Sequence, residues 1–238
     1  DQMRRAFTRR HNAALLRHYW ERFREGALRN GVEKETARRI FAKFNGQYMF
    51  PESHAFAFGV TAYQAAWLKH HYPLEFYVAL FNQQPMGFYN LETLKEDAKR
   101  HGIRVLNPDL NRSRDRCTIE GKALRLGLLN VLGIGEATAR TIARERERGG
   151  PYASLADFVE RTGLRREVLE NLADAGALDA FNPDRRALNW EVGLRYRPQG
   201  AQRALPLPVE GDVVKLPHLE TEEKMMGEYR ALGLYPEG

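Results

Sequence analysis

The sequence predicts a mostly α-helical chain with a small β-hairpin, paired helices joined by short glycine turns, and a flexible C-terminal segment. Through most of the N-terminal part, apolar residues recur at three- and four-residue steps, the period of an amphipathic helix. Short apolar segments on either side of Gly121-Lys122 interrupt that period and indicate strands. Residues 195–214 are rich in Pro, Gly and Gln, a composition typical of linkers.

The N-terminal part of the chain predicts a series of helices with recognisable ends. Asn30-Gly31 ends the first, Tyr72-Pro73 ends the third, and Gly102 follows the C-terminus of the last. Ser53 is of the residue type that caps a helix N-terminus and stands where the third helix opens. The predicted helices cover residues 3–29, 33–44, 53–71, 74–82 and 91–101.

The pattern changes at Ile103, where short strands replace the helices. Gly121-Lys122 joins the second and third strands as a hairpin. After them the helical period returns, and Ser154 caps one of the later helices. The predicted strands are 103–106, 117–120 and 123–126, and the later helices are 136–148, 155–161, 165–175, 184–194 and 221–229.

The stretch from Val131 to Arg140 organises the central part of the chain. A short apolar run ends at Gly133 and Gly135, which permit a tight turn with positive φ, and an Ala- and Arg-rich helix follows. The first N–H groups of a helix lack acceptors, and the helix dipole is positive there, so this turn predicts an anion site. The anion is a dinucleotide pyrophosphate or a nucleic-acid phosphate.

A dinucleotide site requires a third glycine, but Thr138 stands at that position. It also requires an acid about 20 residues further on at the end of a strand, whereas Asp157 lies in a helical pattern. The stretch resembles instead the hairpin of a helix-hairpin-helix motif, which holds duplex DNA by its backbone. A second such unit follows around Gly163 and lacks the first glycine. A plain helical corner without a ligand is the remaining alternative.

Charge and cysteine content narrow the class of protein. The net charge is +6, and residues 1–45 hold 12 Lys and Arg against five Asp and Glu, which favours a polyanionic partner or else a solvated helix face. Cys117 is the single cysteine and excludes an internal disulfide and a cysteine-based zinc cluster. No apolar run approaches 18 residues, so we expect a soluble, cytoplasmic chain without a membrane partner. A start at Asp1 without Met suggests a piece of a longer protein.

Several segments of the chain stand in a recognisable order: Phe50–Ala55, Ala65–Lys69, Tyr72–Phe76 and Asn107–Ser113, followed by the tandem hairpins. Together they resemble the bacterial C-family DNA polymerases, the family of the DNA polymerase III alpha subunit. The resemblance covers essentially the whole chain. Pro51-Glu52 and the segment Gln84–Tyr89 are similar to the error-prone branch of that family.

The resemblance implies a DNA-directed DNA polymerase that acts in replication or error-prone translesion synthesis. Its palm aspartates hold two Mg²⁺ ions; because no such acidic set is recognisable here, we expect a fragment without catalytic residues or its own cofactor. The resemblance assigns residues 1–102 to the C-terminal part of the fingers, 103–181 to strands plus tandem helix-hairpin-helix units, and 182–238 to a clamp-binding or linker region. The rival hypothesis is a non-enzymatic helix-hairpin-helix module of a repair or accessory protein.

The same resemblance implies that Tyr48, Ser53 and His54 face the incoming deoxynucleoside triphosphate. A helix start with a hydroxyl and an imidazole suits a phosphate or a base edge. If the family resemblance is set aside, the alternative for Ser53 is a simple helix cap, and the alternative for His54 is a histidine packed against its neighbours. Glu52 opposes a phosphate role because a carboxylate repels phosphates. We expect Trp67 to belong to the core rather than to a stacking platform, and Phe76 likewise.

Two further groups of residues are predicted to bind partners. For the primer-template duplex they are Gly133, Ile134 and Gly135 through backbone N–H groups, Thr138 and Arg140 behind them, and Lys122 and Arg125 in the preceding hairpin. For the sliding clamp they are Gln202, Leu205 and Leu207, which resemble a linear clamp-binding motif that needs an amide anchor and spaced apolar side chains. An ordinary proline-containing linker is the alternative for that last segment.

Overall fold

The protein is mostly α-helical, as predicted. The computed structural model describes residues 13–43, 52–196 and 216–238. These ranges contain ten α-helices, one short 3₁₀ helix and a three-stranded sheet. The chain separates into two compact units, residues 1–65 and 66–238.

The first unit is built on two helices that pack through aromatic rings. Helix α1 covers Ala13–Arg29 and α2 covers Lys34–Ala42. The ring of Trp20 lies 5.1 Å from that of Phe41, and the ring of Phe23 lies 5.6 Å from it. Residues 3–12 and 44, which the sequence places in these helices, lie outside the described ranges.

Helix α3 covers Glu52–His71 and has no buried residue. Because the described helix already includes Glu52, Ser53 lies within its first turn. The expectation that Ser53 caps this helix is therefore wrong.

A polar cluster joins the next two helices at the start of the second unit. Helix α4 covers Pro73–Asn82, and α5 covers Leu91–Arg100. The hydroxyl of Tyr77 and the ammonium of Lys69 each donate to Asp97 Oδ2 at 2.6 Å. These two hydrogen bonds lower the pKa of Asp97 to about 2, so the carboxylate stays charged at neutral pH.

The small sheet has the strand order β1-β3-β2, with β1 at Arg104–Leu106, β2 at Thr118–Glu120 and β3 at Ala123–Arg125. The predicted hairpin is confirmed, because β2 and β3 are antiparallel, while β1 pairs with β3 in parallel. The helix that follows the glycine turn, Glu136–Gly149, leads into a second helix and not, in this fully described stretch, into a strand. The glycine turn therefore lies outside any strand–helix–strand unit, which excludes the dinucleotide alternative for it.

Two helix-hairpin-helix units follow the sheet. The 3₁₀ helix Leu128–Asn130 leads into α6 at Glu136–Gly149, and α7 at Leu155–Thr162 precedes α8 at Arg166–Asp174. Ser154 caps α7 as predicted, because its hydroxyl accepts from Asp157 N at 3.2 Å. Their core side chains belong to one hydrophobic cluster with the sheet, including the fully buried Ile142, Phe158, Leu169 and Leu172.

The C-terminal helices complete the same core. Helix α9 at Arg185–Arg195 and helix α10 at Thr221–Leu232 both pack against α8. Residues on both sides of the predicted domain borders, 102/103 and 181/182, thus share one cluster of buried side chains. The division into three domains stays a prediction.

A buried ion pair fastens α10 to the rest of the second unit. Arg185 Nη1 donates to Glu228 Oε1 at 2.7 Å, and both side chains are almost completely buried. Asn107 Nδ2 donates to the same oxygen at 2.9 Å. Gly176 makes room for this network, because an added Cβ would collide with the Arg185 guanidinium. Burial raises the pKa of Glu228, so its charged form depends on these donors.

We expect Arg185→Ala to lower the free energy of unfolding by about 3 kcal/mol, because it leaves a buried carboxylate without its cation. The matched control is Arg186→Ala, since the neighbouring Arg186 pairs with Glu223 at 2.7 Å on the surface. That exposed pair should contribute at most about 1 kcal/mol. Urea unfolding followed by far-UV circular dichroism measures both. Equal losses for the two variants would contradict the assignment of the buried pair as the fastening of α10.

Candidate nucleic-acid interface

The turn from Val131 to Gly135 has one left-handed glycine. Gly133 has φ +81°, a conformation that favours glycine, as predicted. Gly135 has φ −93° and ψ 174° and occupies the cap position of α6. The expectation of positive φ at Gly135 is therefore wrong, because the chain is already extended where it enters the helix. An added Cβ at Gly135 would meet no atom within 4 Å.

Two long-range hydrogen bonds fix the turn in place. Leu132 N donates to Ala231 O of α10 at 2.8 Å, and Leu132 O accepts from Asn171 Nδ2 of α8 at 3.0 Å. The side chain of Ile134, which follows in the same turn, is buried in the core. Sequence reasoning missed Asn171 and Ala231, because nothing local to either residue indicates a partner dozens of positions away.

The backbone N–H groups that have no acceptor are only partly the ones predicted. Ile134 N donates to Val131 O at 3.1 Å, so this N–H is not available for a phosphate, and that part of the prediction is wrong. In the described part of the chain no acceptor takes the N–H of Gly135 or the first N–H groups of α6, and no side chain caps this helix. The candidate anion-binding set is therefore the start of α6, with Gly135, Glu136, Ala137 and the half-buried Thr138.

The charged side chains at this helix start partly offset one another. Arg140 is exposed and forms an ion pair with Glu136 one turn earlier, both on the surface. A phosphate at the helix start would meet the cation of Arg140 but also the carboxylate of Glu136. Backbone N–H groups and the helix dipole therefore dominate the attraction, with Arg140 as an addition.

Lys122 and Arg125 have different roles in the hairpin beside this turn. Lys122 is exposed at the tip, next to Gly121. Arg125 is half-buried, its Nε donates to Glu120 Oε2 at 2.8 Å, and its Nη1 donates to Asn107 O at 2.6 Å. The hydrogen bonds from Arg125 help lower the pKa of Glu120 to about 2, so this pair persists at neutral pH. We therefore assign Arg125 to the sheet rather than to DNA.

Known proteins that resemble this chain include a helix-hairpin-helix family and several polymerases. Residues 102–188 match the family model of the helix-hairpin-helix motif. The chain is 39% identical to the error-prone DNA polymerase of Pseudomonas fluorescens over 98% of its length, and 37% identical to that of Dechloromonas aromatica over 98%. It is 39% identical to that of Symbiobacterium thermophilum over 81% of its length.

The chain is similar to a segment of error-prone DNA polymerases. The resemblance predicted from the sequence is thereby confirmed, and so is its error-prone branch. The chain spans 20 to 24% of the length of these three relatives. Among the described residues, no helix is long and apolar enough to cross a membrane.

The second hairpin of this polymerase-like segment presents a second helix start. Gly163 ends α7 in the left-handed conformation, and Leu164 packs against the core. Arg165 stands at the cap position of α8, is exposed, and provides no side-chain cap. Sequence reasoning missed Arg165 as a candidate contact, although its place directly after the glycine turn was a usable signal.

The remaining predicted site residues are only partly described. Ser53 and His54 are exposed in the first turn of α3, and the His54 ring lies 4.3 Å from that of Phe58. Trp67 is 43% exposed, so its expected place in the core is wrong, whereas Phe76 does pack against the core. Tyr48 and the clamp-binding candidates Gln202, Leu205 and Leu207 lie outside the described residues.

A matched pair of serine substitutions tests the different backbone conformations of Gly133 and Gly135. We expect Gly133→Ser to lower the free energy of unfolding by about 1–2 kcal/mol, because a side chain resists φ +81°. Gly135→Ser should leave it unchanged or raise it by a few tenths of a kcal/mol, because serine is a favoured cap residue and the site has space. Urea denaturation measures both. A larger loss at Gly135 than at Gly133 would show that the backbone assignment is reversed.

Proposed function

We propose that the chain is a segment of a DNA-directed DNA polymerase of the error-prone type, and that it holds the backbone of the primer-template duplex. The names of the relatives support the polymerase, and the match to the helix-hairpin-helix model supports the duplex. The observation that carries the proposal is the start of α6. Its N–H groups lack acceptors, and the turn before it is fixed by hydrogen bonds to α8 and α10.

Binding of this kind reads phosphates and no bases. Backbone N–H groups at a helix start hydrogen-bond to phosphate oxygens, which are the same for every sequence. A polymerase must hold every sequence that it makes, so a site without base preference suits it. The exposed Arg165 at the start of α8 offers a second cation on the same pair of motifs.

Catalysis belongs, in this proposal, to the remainder of the polymerase. Nucleotidyl transfer by this family needs two Mg²⁺ ions on carboxylates. Within the described ranges no group of three or more His, Cys, Asp and Glu side chains could hold a metal ion. The described residues therefore do not fit the ions, and no catalytic step is assigned to them.

We further propose that Ser53 and His54, together with Tyr48, contact the incoming nucleotide in the complete enzyme. Support comes from the family resemblance and from the exposure of Ser53 and His54 in the first turn of α3. In full-length polymerase, His54→Ala should raise the Michaelis constant for the nucleotide and leave primer-template affinity unchanged. An unchanged Michaelis constant with a lower melting temperature would assign His54 a structural role instead.

The segment with Gln202, Leu205 and Leu207 is proposed to bind the sliding clamp, which would place the enzyme at cytoplasmic replication or repair sites. The support is the sequence pattern alone. A peptide of residues 198–211 titrated against clamp should bind, and Gln202→Ala together with Leu205→Ala should abolish the binding. Equal affinity of the substituted peptide would leave the segment a linker.

For duplex binding, we expect Gly135→Ser to weaken affinity while the protein stays folded, because the serine oxygen takes the N–H that a phosphate would use. Wild-type affinity should fall steeply with salt, with a log–log slope near −0.9 per phosphate contacted. Arg140→Ala should lower the size of that slope by roughly one contact. Fluorescence anisotropy with two duplexes of unrelated sequence across a salt series measures all three.

Two outcomes of that salt series would contradict the proposal. One is an absence of binding to either duplex at low salt. The other is a Gly135→Ser variant that binds duplex as tightly as the wild type, since the start of α6 would then make no phosphate contact.

A further inference from the structure

An open cleft of about 770 Å³ lies beside the first helix-hairpin-helix unit. The turn between α4 and α5 forms one wall, and the 3₁₀ helix with the end of α10 forms the other. Its lining is largely apolar or aromatic, and Arg116 is the one charged residue among the lining residues that the structure describes. The volume lies within the range of small-ligand sites and can accept a nucleobase.

Two largely exposed aromatic side chains line this cleft. Phe88 is 104% exposed and Tyr89 is 61% exposed. Two contacts stabilise the turn that carries them: Met86 and Tyr89 form an isolated β-bridge, and Met86 N donates to Gln84 Oε1 at 3.2 Å. The faces of both rings are therefore accessible to a stacking ligand.

Polar groups in the cleft have unused hydrogen-bonding capacity. Gln84 Nε2 is buried and has no hydrogen-bond partner. Asn130 Oδ1 accepts from the Cys117 thiol at 3.1 Å, which leaves its amide N–H₂ without an acceptor in the described residues. Arg116 is exposed and uses Nη1 on the Asn82 carbonyl at 3.1 Å, so the rest of its guanidinium faces solvent.

The cleft is built in part from the segments that position the proposed duplex site. Leu129 and Asn130 line it, and the hairpin begins at the next residue, Val131. Gly233 also lines it, two residues after Ala231, whose carbonyl accepts from Leu132 N. The cleft therefore adjoins the hairpin along the chain on both of these segments.

We propose that this cleft binds an unpaired nucleotide of a DNA strand that continues beyond the duplex. The base stacks on Phe88 and Tyr89, and Arg116 contacts its phosphate. Stacking on aromatic rings beside a cation is how proteins bind single strands without sequence preference. The proposal rests on the proposed duplex function, because the hairpin delivers the strand to the cleft.

The test compares a blunt duplex with the same duplex carrying a short thymidine overhang, by fluorescence anisotropy on the whole chain. The wild type should bind the overhang form more tightly. Phe88→Ala should remove about tenfold of that affinity, the scale of one stacked base, and leave blunt-duplex binding unchanged. Phe88→Trp should retain the overhang preference, because indole also stacks. Ile119→Ala, an exposed apolar residue outside the cleft, is the matched control and should change neither affinity.

Phe88→Leu distinguishes stacking from simple apolar contact, since leucine keeps apolar area but has no π-face. It should behave like Phe88→Ala. Wild-type overhang affinity in Phe88→Leu would overturn the proposal, because the contact would then be apolar without stacking. No preference of the wild type for the overhang would also overturn it. If the wild type binds the overhang form but not the blunt duplex, the hairpin does not hold duplex, which contradicts the proposed function, whereas a Phe88-dependent overhang affinity would still support the cleft.

Discussion

The candidate interface depends on two hydrogen bonds that fix the backbone of Leu132 to two different helices. Its N–H donates to Ala231 of α10, and its carbonyl accepts from Asn171 of α8. The peptide groups on both sides of Leu132 are thus hydrogen-bonded, and they set the path of the next residues, in which Gly133 turns in the left-handed region and Gly135 enters α6 extended. The first N–H groups of α6 are therefore left without acceptors, in a fixed position, before any DNA arrives.

This arrangement makes the distant helix α10 part of the candidate DNA site. Helix α10 is fastened by the buried contact of Glu228 with Arg185 and Asn107. A buried ion pair adds little net stability compared with apolar packing, but a shift of the helix that separated its partners would leave a charge buried alone. In this protein the pair holds α10 against the rest of the second unit, and the hydrogen bond from Leu132 N to Ala231 O connects α10 to the hairpin. Pre-organisation of this kind lowers the entropy that binding must otherwise overcome.

Local pattern was sufficient for most of the secondary structure. Helical period and cap residues predicted the helices, including α7 behind Ser154 and α10 near the C-terminus, and Gly121-Lys122 predicted the hairpin of the sheet. These features depend on neighbours within a few residues. Residue identity alone also indicated the left-handed turn at Gly133, because glycine is the residue that tolerates it.

Most of the errors concern features that the tertiary structure decides. The hydrogen bond from Ile134 N to Val131 O is local and closes the turn itself, whereas the extended backbone of Gly135 lies where the docked turn enters α6. Arg125 reads as a free cation in the sequence, but the strand pairing places Glu120 beside it. Trp67 reads as a core residue from its size, yet it is exposed on a helix without buried residues.

Hydrogen exchange of the backbone amides from Leu132 to Ala137, with and without duplex DNA, tests the central claim most directly. The account predicts slow exchange at Leu132 and Ile134 in the free protein, because both donate to protein carbonyls. It predicts fast exchange at Gly135, Glu136 and Ala137, and clear protection of these amides when duplex binds. If duplex binds and leaves these amides as fast as in the free protein, the start of α6 does not hold the phosphate.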